Sequence, residues 1–195
     1  MSASCIGKGI YEAIVLSLTT AGTRFSEYDC SMATMAEAGE LPFPRDAVVK
    51  ALVFSIANRG YLVAVVRATD KVDYRKMAQA AGASRGDLML TPAEEVEAIL
   101  GFAPGTVSPV CPQANPCVLL DASLAGLPTV YCGAGIRTRR LASGSKTWFE
   151  SQEHGSPIWL SVRTLRPAKQ LCVEIGQRIG EARMRLASPP RSSEA

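Results

Sequence analysis

Lys50 is the first residue whose setting suggests chemistry. In the run Val48-Val49-Lys50-Ala51-Leu52-Val53-Phe54, a period of two puts Lys50 on the face of Val48, Leu52 and Phe54. An ammonium on an apolar strand face is costly unless it reaches water, a partner or an anion. A lysine at a strand's start can also snorkel to solvent, and pattern alone leaves both readings open. The second candidate is Gly105-Thr106-Val107-Ser108-Pro109, inside the stretch 102–116 that holds four prolines. A glycine followed four residues later by a proline gives a rigid segment with one permissive corner. Such a segment can wall a small pocket and present carbonyls to an amine. The third is Gly133-Ala134-Gly135 directly after an apolar run. Small residues there let backbone N–H groups of Ala134 and Gly135 face an oxyanion. A lone GxG is also an ordinary turn, and the remaining glycine of a dinucleotide fingerprint is missing.

Arg137, Arg139 and Arg140 follow at once. Three guanidinium groups beside an anion loop suit phosphate contacts, or a solvated cluster. His154 is the sole histidine and would have to pair with a cysteine such as Cys132 for thiol chemistry, with no local signature for it. Trp148 and Trp159 could stack on bases, but packing explains them as well. The six cysteines form no CxxC pair, so no zinc site is expected and no metal or other cofactor is implied.

The elements that must hold these residues can be read from spacing. Gly9 to Thr20 predicts a helix, with Ile10, Ile14 and Leu18 on one face, and Arg24 to Cys30 a short strand. Met32 to Ala38 predicts a small helix. Ala47 to Ala57 and Tyr61 to Val66 flank Asn58-Arg59-Gly60 and predict a β-hairpin. Asp73 to Ala81 predicts a helix and Asp87 to Leu90 a strand. Thr91-Pro92-Ala93-Glu94 reads as a capping box opening a helix to Leu100. Cys117 to Asp121 and Thr129 to Cys132 predict strands, 141–157 an irregular polar stretch, Ile158 to Val162 a strand, and Pro167 to Leu186 a helix. Interleaved strands and helices around a tight hairpin give an α/β or α+β class with at least part of the sheet antiparallel.

Composition bounds the function. With 195 residues, 47% apolar and 20% charged, the chain suits one domain with a real core. Residues 1–187 read as that domain, with a core of about 10–140, an extension 141–187 and a tail 188–195. No apolar run approaches the roughly 20 residues of a membrane span, and Ile10 to Leu18 is too interrupted for a signal peptide. Reduced thiols and a cytoplasmic protein are expected. The net charge of +3 is unevenly spread. From Arg137 onward 11 basic face 5 acidic side chains, leaving 10 and 13 before it. A basic second part suits a polyanionic partner or a solvated helix face.

Taken in order, the Lys50 strand, the hairpin return Tyr61 to Val66, Asp73 to Gly82, Thr91 to Gly101, Gly105 to Pro109 and Val130-Tyr131-Cys132-Gly133-Ala134-Gly135 resemble the YbaK and prolyl-tRNA-synthetase-associated family. The match covers about two thirds of the chain. It implies a curled, mixed, mostly antiparallel central sheet surrounded by helices. It implies a metal-free deacylase that hydrolyses the ester of a mischarged tRNA. Lys50 takes the place of the family's functional lysine, Gly105 and Pro109 match its glycine-xxx-proline loop, and Gly133 to Gly135 match its glycine-rich loop. Two departures stand out. Tyr28-Asp29-Cys30 occupies a region where members often carry a histidine, which makes Tyr28 a substrate-binding candidate. Gly133 stands where some members have serine, and the branch specific for alanyl-tRNA usually lacks the Gly-Ala-Gly turn.

The expected activity is therefore trans-editing of tRNA carrying a small amino acid. Lys50 would hold the ribose or terminal phosphate, and N–H groups of Ala134 and Gly135 the oxyanion. The residues from Gly105 to Pro109, with Gly133 and Tyr28, would shape the substrate pocket, and a free ribose hydroxyl would position water. Arg137, Arg139 and Arg140 would contact tRNA. Mischarged tRNA and a synthetase are the expected partners, with neither DNA nor membrane. The rival reading is a non-catalytic tRNA-binding or synthetase-associated scaffold with 166–185 as its handle.

Overall fold

The computed structural model describes residues 3–31, 39–114 and 116–150. The predicted elements at 32–38, 158–162 and 167–186, together with His154, Trp159 and the tail, lie outside the described residues, as does the side chain of Trp148.

The hairpin is the centre of the fold. β2 (Val49–Ile56) and β3 (Gly60–Arg67) pair antiparallel along their whole length. Asn58 and Gly60 supply the positive φ values, 58° and 88°, that the turn requires. β4 (Leu88–Leu90) adds to β2 antiparallel, but only opposite Phe54 to Ile56, and β5 (Cys117–Leu120) adds to β3 in parallel. A second sheet is wholly antiparallel: β1 (Ser26–Asp29), β7 (Arg139–Ser143) and β6 (Val130–Gly133), in that order. A parallel bridge between Val48 and Tyr131 joins the two sheets. The fold is a mixed, mostly antiparallel α+β architecture, as the resemblance implied.

Both faces of the hairpin are covered, which is why β3 reads as an almost unbroken apolar run. On one face Val53, Val63 and Val65 pack with Ile10, Ile14 and Leu18 of α1 (Ala3–Thr20) and with Val96 and Leu100 of α3 (Ala93–Leu100). On the other, Phe54, Leu62 and Ala64 pack with Met77 and Ala78 of α2 (Tyr74–Ala80). Asp73 caps α2, accepting from the N–H groups of Arg75 and Lys76.

Two expectations fail. The stretch from Leu141 is not irregular: β7 and α4 (Ser145–Glu150) occupy its start. β7 sits between β1 and β6, so its ladder bonds outweigh the weak strand pattern of two arginines. The capping box at Thr91 does not form. Pro92 takes the N-cap position, no side chain caps the helix, and Thr91 lies one residue too early.

Candidate active site

A cavity of about 670 Å³ opens where β4 stops short along β2. Val48 to Val53 form one wall. The junction from Leu90 to Ala93 closes one side, Phe102 to Gly105 with Val107 another, and Gly133 and Arg140 complete the wall. Strand alternation gives this opening its chemistry. Val48 C=O accepts from Ala68 N–H at 2.8 Å, and Val53 C=O from Thr91 N–H at 2.9 Å. Even-numbered residues of β2 therefore bond towards β3, and odd-numbered ones face away. Ala51 accordingly turns its N–H and C=O to the side that β4 leaves uncovered.

Lys50 lines this cavity and is partly buried. Its ammonium does not simply snorkel. Nζ donates to the carbonyl oxygen of Ala68 at 3.0 Å and to that of Asp70. Two of its three donors are thus directed by the chain leaving β3, and one is left for a ligand.

The Gly105 to Pro109 loop is rigid for a visible reason. Thr106 and Ser108 are buried, and their side chains serve the loop itself. Thr106 Oγ1 donates to Ala103 C=O at 2.8 Å, and Ser108 Oγ accepts from Val110 N–H at 3.1 Å. Pro109 is buried too, so Gly105 and Val107 are the members that reach the cavity. Gly133 is fixed by the same loop. A Cβ there would stand 2.6 Å from Val107 O and 3.2 Å from Thr106 O.

The geometry redirects the oxyanion assignment. Gly135 N–H already donates to Thr106 C=O at 3.1 Å. Gly135, at φ 81°, turns under α1, where an added Cβ would meet Ile10, Ile14 and Phe102, and Ala134 is fully buried in the apolar core. Neither residue borders the cavity. The turn shapes the floor and is not placed to hold an oxyanion.

The three arginines separate. Arg137 is exposed, with Nη2 3.4 Å from Pro104 C=O at the outer edge of the loop. Arg139 pairs with Asp29 at 3.1 Å and Glu27 at 3.8 Å, binding β7 to β1. Arg140 is only 4% exposed and forms cavity wall, with Nη1 donating to Arg139 C=O at 2.8 Å and burial lowering its pKa. They are not one solvated phosphate cluster: β7 alternation sends Arg139 and Arg140 to opposite faces, and Arg137 lies in the turn before the strand.

Tyr28 stands beside the cavity, not in it. It meets Phe43 and Tyr131 edge-on, at centroid distances of 5.7 and 5.4 Å, while those two rings stack at 4.2 Å. This aromatic group packs on Val48 and Ala68, which do line the cavity. Sequence spacing could not reveal it, because its rings come from three distant segments. Cys132 is no nucleophile: it is 1% exposed, and burial pushes its thiol up to about 12. Among the described residues no three His, Cys, Asp or Glu side chains gather to hold a metal, and no helix is long and apolar enough to cross a membrane.

The family model of the aminoacyl-tRNA editing domain matches residues 30–149. The chain belongs to that family. Editing domains of this kind act on aminoacyl-tRNA, and the cavity between Lys50 and the glycine-xxx-proline loop lies wholly within the matched segment. Among solved structures, a proposed trans-editing enzyme for prolyl-tRNA synthetase is 26% identical, with a TM-score of 0.60 over 73% of this chain and 89% of that one. The hypothetical protein APE2540 shares the fold at 22% identity, with a TM-score of 0.66 over 76% and 97%. A scaffold used for epitope grafting by computational design does so at 23% identity, with a TM-score of 0.57 over 74% and 90%. No curated protein gives a significant match.

Proposed function

We propose that this editing domain hydrolyses the ester joining a small amino acid to the 3′ end of tRNA, in a reaction that depends on Lys50. The observation that carries the reading is the tethered ammonium. Lys50 Nζ is held by the carbonyls of Ala68 and Asp70 at the wall of a mostly apolar cavity, whose other polar side chains are Thr91 and the buried Arg140. A fixed point charge with one free donor suits a ribose or phosphate oxygen.

The ester needs little chemical activation, so positioning and an oxyanion donor suffice. The N–H of Ala51, facing the uncovered edge of β2, replaces the Ala134 and Gly135 donors in that role. Water attacks the carbonyl carbon, and the free ribose hydroxyl positions it. The bond from that carbon to the ribose oxygen breaks, the ribose oxygen takes a proton, and amino acid and tRNA leave. The glycine-xxx-proline loop limits the side chain from the opposite wall. A pocket of this kind separates one methylene by only about 1–3 kcal/mol, so more than one small amino acid is cleared. The likeness to a proposed trans-editing enzyme supports a free-standing role beside a synthetase, and Arg137, exposed at the loop's edge, would contact tRNA phosphate.

The test follows ester loss from tRNAs charged with alanine, serine, cysteine and proline. Rapid clearance of one or two of the small residues supports the reading. Binding of tRNA with no clearance of any of them overturns it and favours a non-catalytic module.

A further inference from the structure

Thr91 carries a polar group for which the fold has no use. It is 7% exposed, and its hydroxyl is buried without a hydrogen-bond partner, alone in this among the described side chains. The sequence offers it as a helix cap, but the helix starts one residue later, at the Pro92 N-cap. Its backbone cannot drift away, because Thr91 N–H is bonded to Val53 C=O and proline follows. A buried hydroxyl left unpaired is destabilising, and valine would fill the same volume without that cost.

Thr91 is also part of the cavity wall. It sits opposite Val53, three residues along β2 from Lys50, so the two mark sites about 10 Å apart along the strand. That is the scale of an aminoacyl ester, with its ribose end at the lysine and its side chain towards the threonine. The surroundings at this end are Val53, Pro92, Ala93, Val96 and Phe102. An ammonium would lose its hydration there uncompensated, whereas a neutral hydroxyl or thiol would not. A turn of about 120° about Cα–Cβ exchanges the methyl and hydroxyl of threonine between staggered positions.

The geometry points to Thr91 as the residue that reads the side chain of the substrate, hydrogen-bonding the neutral polar terminus of a small amino acid such as serine or cysteine. This inference rests on the deacylase reading and names its preferred substrate class. Alanine would then be the poorer substrate, because it leaves the hydroxyl unpaired.

Wild type, Thr91→Val and Thr91→Ser are compared on seryl-tRNA and alanyl-tRNA. Non-hydrolysable seryl and alanyl amides of 3′-amino-3′-deoxyadenosine are titrated alongside. Thr91→Val is expected to slow seryl clearance about tenfold, the value of one neutral hydrogen bond, while alanyl clearance stays within about twofold. Thr91→Ser should keep the seryl preference, and Thr91→Val should melt no lower than wild type. Equal loss on both substrates, or no change on either, overturns the assignment. If wild type clears none of the four esters of the panel above, the deacylase reading falls and the amides decide Thr91. Tighter seryl binding that Thr91→Val abolishes supports the assignment, and equal binding of the two amides overturns it.

Discussion

Gly133→Ala tests how the site is built. The added Cβ would lie 2.6 Å from Val107 O, 0.8 Å short of the 3.4 Å at which ordinary contact begins, and 3.2 Å from Thr106 O. Both are backbone oxygens of the loop from Gly105 to Pro109, so no side chain can swing aside. The loop must shift as a body, straining the 3.1 Å bond from Gly135 N–H to Thr106 O. Overpacking of this kind costs about 1–3 kcal/mol, and each kcal/mol lowers the Tm by about 2–4 °C in a chain of this size. Because Gly105 and Val107 form cavity wall, the displacement should also lower kcat/KM. A misplacement near 1 Å costs about 10²-fold. Thermal melting and deacylation well below the Tm measure the two effects. Gly9→Ala is the control, since Gly9 lies at an exposed position of α1 and nothing stands within 4 Å of a Cβ added there. It should stabilise by about 0.5–1 kcal/mol. A Gly133→Ala protein with the wild-type Tm and rate would refute the packing argument.

Other outcomes follow from buried and capping groups. Burial holds the thiols of Cys111 and Cys132 at about 12, against an ordinary 9.0. Between those values the unfolded chain has released protons that the native one keeps, so stability falls as pH rises. The slope is about 1.4 kcal/mol per pH unit for each thiol, and their contribution is fully present only below about pH 9. Cys132→Ala should make that fall shallower in urea melts between pH 9 and 11, where Tyr11, Tyr61 and Tyr131, also raised, add to the remaining slope. Asp73 caps α2, and backbone donation from Lys76 foremost, with that from Arg75, lowers its carboxyl pKa. Asp73→Ala should lower the Tm by a few degrees at pH 7. That gap should close in acid, below the ordinary carboxylate pKa of about 3.9, as wild type loses the charge.

Local rules made much of the fold legible. The hairpin, α2, α3 and the core face of α1 follow from apolar periodicity and from Asn58 and Gly60, all short-range signals. The rest depends on partners distant in sequence. β7 exists because β1 and β6 flank it, and Arg139 stands in a strand because Asp29 and Glu27 wait on β1. At the site, alternation placed Lys50 on a face that needs a partner. That Ala68 and Asp70 supply it is a consequence of register. Gly133 to Gly135 looked like an oxyanion loop, but only packing shows Gly135 N–H already bonded. Thr91 misled for the same reason, since a shift of one residue takes its hydroxyl out of the cap.

The most direct measurement of the central claim is single-turnover deacylation by wild type and Lys50→Ala on the small-amino-acid tRNA that wild type clears best, with melting and tRNA binding followed in parallel. Lys50→Ala should lose ester hydrolysis by at least about 10²-fold, the scale of removing one preorganised charge or donor, in a protein that still folds. A Lys50→Ala protein that clears the ester at the wild-type rate would contradict that claim.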